Sequence, residues 1–139
     1  MNKSTTKKIR PVFGMRQLVF IGFFCGPLGL GIALRQSLRR VGEGSLGKTA
    51  LLAGLMITVV EGILFAGAPI NVIYFHVASG VMGKLAYDRW LMRPALQYEA
   101  SGGYFSGTPE LLVFVVGYSI AVLAFVWGLV ELLTYLLGA

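Results

Sequence analysis

ALLAGLMITVVEGILFAG (residues 50–67), then AP (68–69), then INVIYFHVASGVMG (70–83) is the stretch that decides the fold. Its first part carries a single charge, Glu61, and approaches the roughly 20 apolar residues that cross a bilayer as one helix. Proline is favoured at a helix start and disfavoured in its interior, so Ala68-Pro69 reads as a tight turn. The second part is short and holds the only histidine, His76. Together the two runs predict a helical hairpin.

Working outward, the same character continues in both directions. LLVFVVGYSIAVLAFVWGLVELLTYLL (111–137) is a longer apolar run, interrupted only by Glu131. Thr108-Pro109-Glu110 before it supplies a capping hydroxyl, an early proline and a first-turn acid. Upstream, Leu18 to Leu34 is apolar but broken by Gly22, Gly26, Pro27, Gly29 and Gly31, a concentration tolerated in lipid only where protein or water re-satisfies the backbone. Of 139 residues 56% are hydrophobic and 13% charged, with mean hydropathy +0.76, against roughly 25% charged in soluble domains. The expectation is an all-α integral membrane helical bundle: a basic tail (1–17), then one membrane domain (18–139). Its three to four inserted segments lie at about 18–34, 50–67, 70–83 and 111–137, the third continuing as an interfacial helix to 93.

That composition leaves no room for a soluble catalytic domain. The lone Cys25 excludes an intrachain disulfide, and Gly22-Phe23-Phe24 before it does not form a lipoprotein box. No small-residue cleavage site follows the first run, which is therefore read as retained. Lys84 to Arg93 has the marks of headgroup depth: Lys84 and Asp88 pair at i,i+4, Arg89 and Arg93 repeat the spacing, and Tyr87 and Trp90 supply an aromatic belt. Arg35, Arg39, Arg40, Lys84, Arg89 and Arg93 are the candidate contacts to anionic lipid. If the first run crosses the membrane, basic residues divide almost evenly between the two faces. If it is re-entrant, all 12 Lys and Arg fall on one face, the arrangement that the positive-inside rule favours. Sequence leaves both open.

Gly42-Glu43-Gly44-Ser45-Leu46-Gly47-Lys48-Thr49 satisfies G-x-x-x-x-G-K-[ST], whose amides cradle phosphates when it joins a strand to a helix. Here a basic segment precedes it and an apolar helix follows, so Gly42, Gly47, Lys48 and Thr49 are read as a chance match and no nucleotide is expected.

Gly26-Pro27-Leu28-Gly29 closing a broken apolar run, then Leu38 to Gly42, a hairpin, and Gly102-Gly103 before the last span resemble a group of uncharacterised small bacterial polytopic membrane proteins. The resemblance implies a bacterial inner-membrane location and carries no activity.

Ionisable residues inside apolar runs are the chemistry-bearing candidates. Glu61 lies about seven residues before the turn and His76 about seven after it, so both sit some 11 Å from the turn. Glu131, near the C-terminus, falls close to that depth, so Glu61, His76 and Glu131 are expected to meet in one polar cluster. Gly117, Ala121, Ala124 and Gly128 recur at three- or four-residue steps that lead to Glu131, a small-residue stripe suited to close helix packing.

Two function classes follow. One is a non-enzymatic accessory or partner-binding subunit, or an immunity-type protein, acting through helix contacts with a membrane-protein partner or with copies of itself. The other is a small oligomeric transporter or channel handling a proton or cation at the Glu/His cluster. The absence of an internal repeat and of further buried charges favours the first. No nucleophile and base are paired, and one His with two Glu is a sparse ligand set, so neither an enzyme, a cofactor, a metal nor a nucleic-acid partner is expected.

Overall fold

The computed structural model describes residues 10–67, 71 and 73–138, which form an all-α bundle: α1 (Met15–Arg40), α2 (Gly44–Gly67), α3 (Ile73–Ala86), a π-helical turn (Tyr87–Leu91), α4 (Met92–Ala100) and α5 (Thr108–Leu137). Three of these helices, α1, α2 through Leu64, and α5, are long and apolar enough to cross a membrane.

α1 does not use its length that way. Gly26 has φ 66° and ψ −165°, a backbone region open essentially to glycine alone, and Pro27 has no N–H to bond the Phe23 carbonyl one turn earlier. The helix breaks there and doubles back. A straight 26-residue helix would hold its ends about 39 Å apart. Instead the Phe13 amide donates to Ser37 Oγ at 3.1 Å, and the Arg40 guanidinium donates to the Pro11 carbonyl. Residues 15–25 therefore run about 16 Å one way and residues 27–40 return, making α1 a helical hairpin with two short arms.

Returning to its own face, α1 ends in a Schellman motif. Gly42 at φ +95° lets the Glu43 amide reach Leu38 O (2.7 Å) and its own amide reach Arg39 O (3.4 Å).

α2 packs on the returning arm of α1 and α3 on the entering arm, with little direct contact between the two. A Cβ at Gly54 would meet Pro27 O at 2.6 Å, and one at Gly83 would meet Leu18 O at 2.6 Å; the missing side chains are what let the backbones approach. The predicted hairpin thus has α1 wedged between its arms. Its turn, Ala68-Pro69, lies outside the described residues. α3 does not stop at Arg93: it passes through the π-helical turn into α4, which runs to Ala100; the Met92 amide donates to Tyr87 O five residues back, and this wider turn comes just before Pro94, which has no amide to give.

α5 starts at Thr108 with Gly107 as its N-cap, one residue earlier than the Thr108 hydroxyl would place it, because Glu110 reaches back to the Gly107 amide at 2.8 Å. Leu111, Phe114, Val115 and Tyr118 form its packed stripe, with Phe114 edge-on to Phe13 at 5.3 Å. From Ser119 onward each residue whose burial is described is exposed.

The core sits at one end, where Val12, Phe13, Leu18, Ile21, Leu34, Leu38 and Leu91 are almost fully buried. Val12 ties that end to the loop before α5: its amide donates to Tyr104 O, and the Ser106 amide donates to Val12 O. Gln17 donates to the Ser106 and Gly107 carbonyls, and Tyr98 donates its hydroxyl proton to Arg10 O at 2.7 Å. Every Lys and Arg among the described residues (Arg10, Arg16, Arg35, Arg39, Arg40, Lys48, Lys84, Arg89, Arg93) lies at or near this end.

Candidate functional site at the break in α1

The broken tip of α1 creates polar groups that no helix satisfies. A helix leaves its last carbonyls and first amides unpaired, and here the two kinds of end meet at Gly26-Pro27. α3 answers part of this. Its His76 Nδ1 lies 2.7 Å from Phe23 O, the carbonyl that Pro27 cannot reach. Because a carbonyl only accepts, Nδ1 carries the proton and, in the neutral ring, Nε2 is left as an acceptor. The imidazole also packs against the break, since a Cβ at Gly26 would sit 3.5 Å from its Cε1. α5 covers another part: the Tyr118 ring stands 3.4 Å from the Cβ position of Gly29, its hydroxyl towards the backbone of that residue.

Beyond the tip, on the side away from the basic residues, α1, α2, α3 and α5 line an open cavity of about 580 Å³. Gly26 and Pro27 form its floor. Thr58 and Glu61 come from α2, His76 from α3, Tyr118 and Ser119 from α5. The Thr58 hydroxyl is spent on Gly54 O (2.9 Å) and the Ser119 hydroxyl on Val115 O (2.8 Å), as is common for hydroxyls in helices. Glu61 is half-buried and makes no hydrogen bond or ion pair among the described residues. Its carboxylate and the free Nε2 of His76 face the same cavity as the Cys25 thiol and the Tyr118 hydroxyl, and Glu61 and His76 form no ion pair within 4.0 Å.

Of the three ionisable residues singled out by sequence, two line this cavity and Glu131 does not. α5 and α2 start at the same end, but Glu131 is 23 residues into α5 from Thr108 and Glu61 is 17 into α2 from Gly44. At 1.5 Å per residue Glu131 lies about 9 Å further along. It is exposed, as are Gly117, Ala121, Ala124 and Gly128, and no atom comes within 4 Å of a Cβ placed at Gly117 or Gly128. No group of three or more metal-ligating side chains occurs among the described residues.

The basic candidates divide by role. Arg40 is half-buried and holds the Pro11 carbonyl; burial, and then the charge of Arg10, pull its pKa below the ordinary guanidinium value. Arg35, Arg39, Arg89 and Arg93 are exposed, and Lys84 pairs with Asp88 at 3.2 Å. In the P-loop-like segment Gly42 serves the Schellman motif. Gly47 serves packing, since a Cβ there would lie 3.1 Å from Arg35 O. Tyr118 and the Phe23 carbonyl were not singled out by sequence. The signal for the second was Pro27 itself, which orphans the carbonyl four residues before it.

No protein-family description, curated protein or solved structure matches the chain.

Proposed function

We propose that this is a small non-enzymatic protein of the bacterial cytoplasmic membrane that passes protons or small cations across the bilayer, binding them part-way between Glu61 and His76 at the break in α1. One observation supports this above the others: a carboxyl group without a partner faces a cavity whose floor is a broken helix. An acid at the centre of a membrane helix costs about 3 kcal/mol on insertion scales. The carbonyl end of the entering arm of α1 favours positive charge nearby. A proton taken up by the Glu61 carboxylate, or a cation held between it and His76 Nε2, removes that cost. The packed core blocks the basic side, so movement across the membrane requires either rearrangement of α1 or a multimer. The basic face, taken as cytoplasmic by the positive-inside rule, sits on anionic headgroups.

The test is proton flux into proteoliposomes, driven by a potassium diffusion potential and read with an internal pH dye. Wild type should conduct in a pH-dependent manner, and Glu61→Gln should not, while eluting normally from gel filtration. Wild-type vesicles no leakier than protein-free ones would refute the proposal.

The exposed second half of α5 favours a second reading, an accessory subunit that docks a membrane partner or another copy through Gly117, Ala121, Ala124 and Gly128. Small residues presented in line permit backbone contact between helices. Under this reading Gly128→Leu abolishes in-membrane crosslinking of cysteines placed on α5, and unchanged crosslinking counts against it.

A further inference from the structure

Because α1 holds α2 and α3 apart, a trough of about 330 Å³ remains between them on the bundle face away from α5. Its floor is Pro27, Leu30 and Leu34 of the returning arm; its walls run from Ile57 to Ala50 on α2 and from Phe75 to Ala86 on α3, ending at Trp90. The lining is apolar throughout, and the one hydroxyl in it, Ser79, donates to Phe75 O at 2.8 Å. We infer that this trough holds one acyl chain of an anionic phospholipid from the basic-face leaflet, with its phosphate at Arg35 and Arg89.

The trough is about 16 Å long from Ala86 to Phe75, half the roughly 30 Å hydrocarbon thickness and so the reach of a chain from one leaflet. Charge decides the headgroup. Arg35 stands one helical turn beyond Gly31 of the floor, on the same stripe and nearer the basic face. Arg89 lines a neighbouring hollow that shares Met82, Ala86 and Trp90 with the trough. Both arginines are exposed and make no ion pair among the described residues, whereas the nearby Lys84 is neutralised by Asp88. Trp90 at the mouth, 38% exposed, is placed at the depth where indole rings anchor.

Trp90 reports on the site directly. With Trp127→Phe, Trp90 is the only tryptophan, and its fluorescence is measured in phosphatidylcholine vesicles doped with brominated phosphatidylglycerol or brominated phosphatidylcholine. The brominated anionic lipid should quench at a lower mole fraction, about fivefold lower for each contributing arginine. Arg35→Gln with Arg89→Gln should make the two lipids equivalent, with the helical circular dichroism unchanged. Arg16→Gln with Lys48→Gln, the same charge change at exposed residues that line neither the trough nor the hollow beside it, should keep most of the preference. Equal quenching by both lipids in the parent protein overturns the inference, as does a preference lost equally with either pair of substitutions.

Discussion

Gly26→Ala tests the structural feature on which everything else depends. At φ 66° and ψ −165° an alanine is strained regardless of space, at about 1–3 kcal/mol. Space is not the obstacle: the new methyl would meet His76 Cε1 at 3.5 Å, an ordinary contact. The whole cost is therefore conformational, and it lowers the folded-to-unfolded ratio about 5- to 150-fold. Gly117→Ala is the control, because Gly117 lies in the interior of α5 with nothing within 4 Å of a Cβ. There the substitution gains helix propensity, about 0.8–1.0 kcal/mol. Reversible unfolding in mixed micelles of increasing sodium dodecyl sulfate, followed by tryptophan fluorescence, measures both on one scale. The two variants should move in opposite directions. If Gly26→Ala is as stabilising as Gly117→Ala, residue 26 is in ordinary helix, α1 is continuous, and the cavity, the role of His76 and the one-sided placement of the basic residues fall together.

In a Cys25→Ser background, cysteines placed at Ser4 and at Ser45 should both be labelled by a membrane-impermeant maleimide from the same side, because α1 returns to the face it left; labelling from opposite sides would refute the re-entrant path. His76→Ala should destabilise by about 1–3 kcal/mol, leaving the Phe23 carbonyl unpaired, while His76→Asn, whose amide nitrogen can take the place of Nδ1, should recover most of that in the same unfolding assay; equal losses would mean that the hydrogen bond contributes nothing. Isothermal titration of ATP with magnesium should give no saturable heat for wild type or Lys48→Ala; saturable binding lost in the variant would revive the P-loop-like segment as a nucleotide site.

The class of this protein was legible in its composition, and so were the apolar runs and the start of α5, because hydropathy and the signal at Thr108-Pro109-Glu110 act over one or two turns; the helical ends beyond those runs, residues 35–40, 44–49 and 94–100, were not. Two of the cavity residues were legible for the same reason: a Glu and a His inside apolar runs stand out wherever the runs pack. Sequence also isolated Gly26-Pro27 as a break but left two courses for the chain beyond it, since glycine adopts positive and negative φ almost equally well. The fold-back was decided by tertiary contacts, through Phe13 to Ser37, Arg40 to Pro11, and the backbones of α2 and α3 closing on opposite arms of α1. Glu131 shows the same limit. Its depth depends on where α5 starts, and that is set by Val12 pairing with Tyr104 and Ser106 and by Gln17 reaching carbonyls 89 and 90 residues away. Local propensity fixes which residues are helical, but relative depth and register come from hydrogen bonds between distant segments, which leave no periodic trace in the chain.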